Sequence, residues 1–535
     1  MTLRTSHLPF AFFAVRIKRL SAEATSFLAT CILPLILIQG CSSVGSYQSK
    51  EVTDKSIRNN ILQQCSKYEG PMRNPVIVIH GFLGSKLRNT DTGNEIWGSF
   101  SPLDSIFGPG DQHIRDLSCK MSKGLSLTEL DKTVEPYAFL EMVKVQILGI
   151  PINVNAYEDM LSILRNSGYT QYEKPLPGDK HFYSLFPYYY DWRRDLPYNA
   201  ARLHEYILEK RAYLQKEYEK LYGIENYDVQ FDVVAHSMGG LLAGYYLRYG
   251  DVDLPADGSV PGLTWKGSHY IDKVLIVGTP NAGFLDTCQE LINGLQVAPG
   301  TPTFPPAMLG TFATYYQMMP VYGFRSVLYE DDPNGAEVDI FNPEVWIQMK
   351  WGLADPAQDK YLQILLPNVK DPVERRSVAL DHLSKCLKRA KQFSAAMQVK
   401  ARPPENVALF LFAGDAIETS RTATVNRKTG EFKVVEYAPG DGKILTSSAL
   451  FDLREDGYWT PYLRSPITWH GTFLLNAAHM GITKSSAFNS NASFCLLVTP
   501  SVKQDKRDKK TLDLRQELPN TIQYLGDGLF DEKNN

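Results

Sequence analysis

The sequence has almost no charge imbalance and few cysteines. Its 56 lysines and arginines nearly balance 59 aspartates and glutamates, so the formal net charge is only −3. A chain this close to neutral offers no electrostatic basis for binding nucleic acid, and we expect no nucleic-acid partner. Seven cysteines occur in 535 residues and none of them shows C-x-x-C spacing. This argues against a zinc or redox site, and we predict neither a metal nor an organic cofactor.

The sequence also lacks an apolar run of comfortable length for a membrane-spanning helix. The run FLATCILPLILI at 27–38 is shorter than the ~20 residues that a bilayer requires. Basic residues at 16–19 precede it, which is typical of an export signal. The sequence I-Q-G-C that ends at Cys41 resembles a bacterial lipoprotein box, in which the cysteine is lipidated. We therefore predict an export signal over 1–40 and an outer-membrane lipoprotein of the bacterial cell envelope, with an uncleaved signal anchor as the alternative.

The five cysteines that follow the lipoprotein box are an odd number. An exported chain can oxidise its thiols, but an odd count leaves at least one outside any internal pair. We suggest a disulfide between Cys65 and Cys119, because both flank the same early insertion. The pairing of Cys288, Cys386 and Cys495 stays open, and the sequence indicates no particular protein partner.

The chain then alternates between short apolar strands and helices. Residues 41–73 are polar and are predicted to be a tether. The run Val76 to Ile79 is continuously apolar and β-branched, which is typical of a strand buried on both faces of a parallel sheet. Similar signals predict strands at 229–235, 272–283 and 406–415, and helices at 200–222 and 240–250. Strands that alternate with helices in this way predict an α/β fold with a mostly parallel sheet.

Two long intervals do not fit a minimal sheet. Residues 88–180 and 284–402 are rich in proline, aromatic residues and methionine. In α/β proteins such insertions lie above the carboxyl ends of the strands, where ligands bind. We predict one domain over 74–500 that carries both insertions, followed by a charged tail over 501–535.

The stretch VVAHSMGG contains a candidate nucleophile, Ser237. It stands directly after an apolar strand and directly before a helix that starts with two glycines, as the strand-to-helix elbow of G-x-S-x-G hydrolases requires. Ala235 replaces the first glycine of that pattern. Since the elbow requires small size there, one extra methyl group is compatible with it. The short pattern can arise by chance, so its interpretation depends on partners elsewhere in the chain.

A serine nucleophile needs a base and a carboxylate that orients the base. In this fold the acid and then the histidine follow the serine along the chain. His479 is the preferred base, with His470 as the nearest rival. Asp441, in a glycine-flanked turn, is the preferred acid, and Asp415 at the end of a strand competes with it.

The oxyanion of the reaction needs two backbone N–H donors. Met238 follows the nucleophile and supplies one, and Phe82 in the loop HGFLGS supplies the other. Gly81 allows that backbone to turn toward the site. His236 is adjacent to the serine and is interpreted as a packed, structural residue, and His80 as a residue that orients the loop.

Seven motifs in order resemble the lecithin:cholesterol acyltransferase / lysosomal phospholipase A2 family of α/β-hydrolases. The resemblance spans roughly 75–485. It implies an α/β-hydrolase fold, with helices on both faces of the sheet and inserted lid and cap regions. It also implies the triad Ser237, Asp441 and His479, with Phe82 and Met238 as oxyanion amides. The motifs are PVIVIHGFLGSKL (75–87), LFPYYYDWRRD (185–195), DVVAHSMGG (232–240), VGTPNAG (277–283), YYQMMP (315–320), GDGKILTSSAL (440–450) and HMGI (479–482).

The same resemblance implies that the first insertion forms a lid or membrane-facing region and the second a cap. Trp97 is the candidate for a lid tryptophan that engages acyl chains. Tyr316 and Met318 lie in a methionine-rich aromatic stretch that would line an apolar cap. For all three, burial in the core is the alternative. Lys443 departs from the family's usual GDGTVP-like turn.

These observations together predict a serine-dependent acyl-hydrolase or acyltransferase of lipid esters that works through an acyl-enzyme on Ser237. We expect a lipid or phospholipid substrate at a membrane surface. One alternative is a serine esterase that acts on soluble or cell-envelope esters. Another is a catalytically decayed, surface-anchored binding protein.

Overall fold

The computed structural model describes residues 55–100, 110–129, 133–147, 150–296, 303–456 and 460–500. The predicted export signal, the lipidation site at Cys41 and the charged tail lie outside the described residues, so these assignments stay predictions. The chain divides into two units, Met1–Ile61 and Leu62–Asn535. Of the first unit only 55–61 is described, as the start of a helix.

The described strands are β1 (Val76–Ile79), β2 (Ser85–Asn89), β3 (Glu95–Trp97), β4 (Ser99–Phe100), β5 (Val134–Phe139), β6 (Met142–Ile147), β7 (Ile150–Asn155), β8 (Leu185–Tyr188), β9 (Phe231–His236), β10 (Ile271–Val277), β11 (Leu295–Gln296), β12 (Thr303–Phe304), β13 (Val327–Tyr329), β14 (Ala408–Gly414), β15 (Ile417–Val425), β16 (Phe432–Gly440) and β17 (Gly471–Leu475).

The described helices are α1 (Lys55–Lys67), α2 (Asp111–Leu117), α3 (Glu158–Asn166), α4 (Leu196–Tyr222), α5 (Met238–Tyr249), α6 (Asp286–Asn293), α7 (Pro306–Leu309), α8 (Ala313–Gln317), α9 (Pro343–Met349), α10 (Asp359–Leu365), α11 (Pro372–Met397), α12 (Thr446–Leu450) and α13 (Ser486–Leu497). Within the described ranges, none of these helices is both long enough and apolar enough to cross a bilayer.

Six strands form the central sheet in the order β17-β14-β10-β9-β1-β8. Every pairing between neighbours in this sheet is parallel. The predicted fold class, an α/β-hydrolase with a parallel central sheet, is confirmed. Parallel strands bring their carboxyl ends to one edge, so the loops after β1, β9, β14 and β17 meet there.

The apolar runs in the sequence become strands that are buried on both faces. In β1, Val76 and Val78 join one apolar cluster, whereas Ile77 and Ile79 join the other. Successive side chains of a strand point to opposite faces, so a run without polar residues must be covered twice. Helices α4, α5 and α11 contribute to one cluster, and α3 and α13 contribute to the other.

The two predicted insertions contain most of the remaining elements. Residues 88–180 include the three-stranded sheet β3-β2-β5 in part, and the helix α3. Because Met160, Leu161 and Leu164 of α3 are buried in a cluster that covers the central sheet, this part of the first insertion belongs to the scaffold. Residues 284–402 hold α6 to α11. The boundaries of lid and cap stay predictions.

The suggested Cys65–Cys119 disulfide is wrong, because the structure has both residues as thiols. Cys65 lies on α1, whereas Cys119 follows α2 and its backbone N–H donates to Thr311 Oγ1 over 3.0 Å. Flanking one insertion in sequence does not bring two sulfurs to the ~2 Å of a disulfide bond. Burial raises the pKa of the Cys495 thiol to about 11.

Candidate active site

Ser237 lies at a sharp turn between a strand and a helix. β9 ends one residue before it, and α5 begins one residue after it. Its backbone has φ 54° and ψ −128°, a conformation that costs free energy for any residue except glycine. A Cβ on Gly239 would lie 2.3 Å from the carbonyl oxygen of His80, so this position must stay bare. Ala235 is fully buried in β9, so its extra methyl group is accommodated.

Three side chains form a hydrogen-bonded series at this turn. His479 Nε2 is 3.0 Å from Ser237 Oγ, and His479 Nδ1 is 2.8 Å from Asp441 Oδ2. The other carboxylate oxygen of Asp441 accepts the backbone N–H groups of Lys443 over 2.9 Å and Ile444 over 2.6 Å. The turn therefore fixes the carboxylate, and the carboxylate fixes the imidazole.

Two glycines lie against the acid and the base, Gly278 with a φ of 55° that favours glycine and Gly414 where a side chain would clash. A Cβ on Gly278 would lie 3.4 Å from Asp441 Oδ2 and 3.4 Å from His479 Cε1. A Cβ on Gly414, at the end of β14, would lie 2.6 Å from Asp441 Cβ. The backbone N–H of His479 also donates to the Asp441 carbonyl over 2.9 Å. The loops of the acid and the base are thus held together by their backbones as well as by their side chains.

The rival acid, Asp415, and the rival base, His470, form hydrogen bonds with backbone groups of the central sheet instead of joining this series. His470 Nδ1 accepts the backbone N–H of Leu409 over 3.0 Å. The backbone N–H of Asp415 donates to the Leu475 carbonyl over 3.2 Å. The structure brings Asp441 and His479 to the serine instead.

The predicted oxyanion amides lie on both sides of the nucleophile. The loop after β1 approaches so closely that a Cβ on Gly81 would lie 2.7 Å from Ser237 Cβ. Phe82 follows in this loop. Met238 opens α5, and the first N–H groups of a helix have no acceptor within the helix. Both amides are therefore placed beside Ser237, and their role as oxyanion donors stays a prediction.

Two buried histidines flank the site without belonging to the hydrogen-bonded series. His80 Nδ1 donates to the Gly81 carbonyl over 2.7 Å, and its ring stacks on Tyr190. Burial lowers the pKa of His80 to about 3. Burial first, and the neighbouring His479 second, lower the pKa of His236 to about 3. Both imidazoles are neutral at physiological pH and form part of the scaffold.

The three predicted lid residues are buried in the core. Trp97 Nε1 donates to the Leu83 carbonyl over 3.0 Å, and Tyr316 Oη donates to the Gly310 carbonyl over 3.1 Å. Met318 is 2% exposed. A contact of any of these side chains with a substrate stays a prediction.

One charged cluster beside the acid could not be read from the sequence. Lys443 Nζ lies 3.0 Å from Asp286 Oδ2 and 3.2 Å from Glu290 Oε1, both on α6. Tyr315 Oη donates to Glu290 over 2.9 Å, and its ring packs edge-on against Phe82. Burial opposes the charge of the lysine, but the two carboxylates raise its pKa above the ordinary value. The departure at Lys443 was visible in sequence, whereas partners so far along the chain leave no local signal.

Across the residues that the structure describes, no three His, Cys, Asp or Glu side chains are grouped so that they could hold a metal ion.

Part of the chain is similar to a known protein family. Residues 132–352 match the family model described as lecithin:cholesterol acyltransferase, over less than half of the chain. This match confirms the resemblance found in the sequence motifs. No curated protein sequence matches the chain.

Solved structures give weaker likenesses. A chain of the Tle4–Tli4 complex is 14% identical, with a TM-score of 0.49, over 79% of this chain and 98% of that chain. The mature form of the Bacillus licheniformis lipase BlEst2 is 12% identical, with a TM-score of 0.28, over 81% of this chain and 95% of that chain. Its propeptide form is 11% identical, with a TM-score of 0.28, over 81% and 52%. Likenesses of this strength say nothing about activity.

Proposed function

We propose that this protein is a serine-dependent acyl-hydrolase or acyltransferase of lipid esters that works through an acyl-enzyme on Ser237. The observation that carries the proposal is the hydrogen-bonded series Ser237, His479 and Asp441 at a strand-to-helix turn. The match of residues 132–352 to the lecithin:cholesterol acyltransferase family model supports lipid esters as the substrate class.

The geometry supports a two-step acyl transfer. His479 Nε2 takes the proton of Ser237 as its oxygen attacks the ester carbonyl. The backbone N–H groups of Phe82 and Met238 stabilise the oxyanion. Asp441 accepts the Nδ1–H of the imidazole, which keeps the tautomer whose Nε2 can accept a proton. The leaving alcohol takes that proton, and the acyl-enzyme then reacts with water or with an acceptor hydroxyl that the same base deprotonates.

Labelling with a fluorophosphonate probe tests the nucleophile. The probe phosphonylates activated serines, so the parent protein should be labelled and Ser237→Ala should not. Ser259→Ala is a matched control, because Ser259 is exposed and its hydroxyl donates to Asp257 in a surface turn. Equal labelling of Ser237→Ala and the parent would show that the site is wrong. No labelling of the parent would favour the decayed binding protein.

The substrate class is tested by the physical state of the ester. Hydrolysis that rises sharply when a short-chain phospholipid passes from monomers to micelles supports a lipid enzyme. Indifference to aggregation favours the esterase that acts on soluble or cell-envelope esters. Mass spectrometry of the products, with and without an added alcohol, then distinguishes water from a hydroxyl acceptor.

We also propose that the protein is an outer-membrane lipoprotein anchored at Cys41. The basic residues at 16–19, the apolar run at 27–38 and the I-Q-G-C sequence support this location. A clickable fatty acid should label the parent in bacteria, and Cys41→Ser should abolish that label. Cys31→Ser, within the apolar run, is the control that should keep it. An acylated Cys41→Ser protein would disprove the anchor.

A further inference from the structure

We propose that Tyr157 and His236 are positioning residues that join the oxyanion loop to the loop of the catalytic base. This inference rests on the proposed function, because it assigns a role to residues that contact the proposed machinery. The hydrogen-bonded path Gly81–Tyr157–His236–His479 is named the bridge below.

The bridge is continuous in distance. The backbone N–H of Gly81 donates to Tyr157 Oη over 2.7 Å. Tyr157 Oη lies 3.1 Å from His236 Nδ1, and His236 Nε2 lies 3.3 Å from the carbonyl oxygen of His479. Both side chains are buried, with exposures of 4% for Tyr157 and 1% for His236. Water therefore does not compete for these bonds.

The chemistry of the end groups fixes the direction of every bond. An amide N–H can only donate, so the Tyr157 oxygen accepts from Gly81 and uses its own hydrogen toward His236 Nδ1. A carbonyl can only accept, so His236 Nε2 must carry the ring hydrogen that faces His479. The two requirements agree on one neutral tautomer of His236. Burial lowers the pKa of His236 and raises that of Tyr157, so both groups stay in the neutral forms that the bridge needs.

The bridge passes behind the nucleophile. His236 is the last residue of β9 and precedes Ser237, and Tyr157 belongs to the apolar cluster on the same face of the sheet as Val234. The bridge thereby joins the loops that follow β1, β7 and β17. Since displacement by ~1 Å can cost ~100-fold in rate, a fixed distance between oxyanion amides and base has a direct kinetic value.

Tyr157→Phe removes the bridge with little change in packing. The phenyl ring keeps its edge-on contacts with Phe139 and His236, whose ring centroids lie 5.4 and 5.6 Å away. We expect kcat and the rate constant of fluorophosphonate labelling to fall ~10–100-fold, with KM within about twofold of the parent. The fraction of protein labelled at completion should equal that of the parent.

Tyr169→Phe is the matched control. Tyr169 lies in the same apolar cluster and is 3% exposed. Its hydroxyl has no hydrogen-bond partner among the described residues. Losing this second buried hydroxyl should leave the labelling rate constant unchanged.

Two substitutions of His236 each remove one of its two hydrogen bonds in the bridge and keep the other. Glutamine can place its amide near the Nε2 position and keep the bond to the His479 carbonyl, whereas asparagine can place its amide near Nδ1 and keep the bond to Tyr157. Each single variant should be slowed, and Tyr157→Phe with His236→Gln should be no slower than the slower single variant. Non-additivity of this kind is the signature of residues that act through each other.

The outcomes separate the bridge from the proposed function. Labelling of Tyr157→Phe at the parent's rate overturns the bridge. A smaller labelled fraction of Tyr157→Phe with an unchanged labelling rate constant also overturns the bridge. That result would mean that Tyr157 only stabilises the fold. If Tyr157→Phe does not fold, the parent's rate in His236→Gln and His236→Asn overturns the bridge instead. Labelling of Ser237→Ala would overturn the proposed function itself.

Discussion

Replacing Asp441 by asparagine should reverse the tautomer of the catalytic imidazole. One oxygen of Asp441 accepts the backbone N–H groups of Lys443 and Ile444, and the other accepts from His479 Nδ1. The asparagine must keep its carbonyl oxygen toward the two amides, because its NH₂ group cannot face two N–H donors. The NH₂ group then faces His479, whose Nδ1 becomes an acceptor. The ring hydrogen moves to Nε2, which can no longer take the proton of Ser237.

The magnitude follows from the loss of the base. A serine hydrolase with the wrong imidazole tautomer loses about 10⁴ in kcat, or about 5.5 kcal/mol of transition-state stabilisation. KM should change little, since Asp441 is buried behind the imidazole. The melting temperature should stay near that of the parent, because both bonds from the turn amides remain. Ester turnover and the rate constant of fluorophosphonate labelling measure the effect.

Asp415→Asn is the control for this experiment. Asp415 also follows a strand of the sheet, but its backbone N–H bonds to the Leu475 carbonyl and it does not orient the base. This variant should keep most of the activity. Retention of more than a tenth of kcat by Asp441→Asn would refute the tautomer argument, and a larger loss in Asp415→Asn would exchange the roles of the two acids.

Three further predictions concern residues outside the triad. Burial lowers the pKa of His382 to about 4 from 6.5, so the unfolded chain binds the extra proton and stability falls as pH drops through this window. His382→Leu should therefore remove about 1.2 kcal/mol per pH unit from the slope of urea-unfolding free energy between pH 4.5 and 5.5, and equal slopes would contradict this. Gly81→Ala would place a Cβ 2.7 Å from Ser237 Cβ and should lower kcat ~100-fold, whereas Gly262→Ala, with nothing within 4 Å, should not. Lys443→Met leaves Glu290 on α6, whose side chain is 15% exposed, without its cation. Burial already raises the pKa of Glu290, and this pKa should rise further. Since a raised carboxylate pKa removes stability as pH rises through it, the variant should lose about 1 kcal/mol more at pH 8 than at pH 5 in chemical denaturation, and an equal loss would disprove the coupling.

The central strands of the sheet could be predicted from the sequence, whereas its edge strands could not. β1 and β14 are continuous apolar runs, and β9 and β10 are mostly apolar, because neighbours and helices bury both faces of all four strands. β8 and β17 are the edge strands. β17 alternates between exposed and half-buried residues, and β8 contains Pro187, which only an edge position tolerates in a sheet. Their sequence signals are correspondingly weak.

The candidate site also has one part that the sequence predicts and one part that only the structure decides. The elbow at Ser237 is local, because a strand, one strained residue and a helix with small residues occupy a single short stretch. Asp441 and His479 were predicted from chain order and family resemblance. The sequence could not show whether they or their rivals lie closer to Ser237. Only the tertiary structure selects them over Asp415 and His470. The antiparallel strands β15 and β16 bring Asp441 back beside Gly414 at the end of β14, and His479 follows β17.

The sequence by itself determined which strands are apolar enough to be buried on both faces, where the chain turns sharply, and which residue types could perform acyl transfer. Hydrophobic runs and small-residue turns are properties of neighbouring residues, so they are visible along the chain. The tertiary structure alone decided that Tyr157 reaches the oxyanion loop and that Lys443 binds carboxylates of α6. It also decided that Trp97 is a core residue. Such contacts join positions far apart in the chain, and they exist only because close packing and buried hydrogen bonds must be satisfied at the same time.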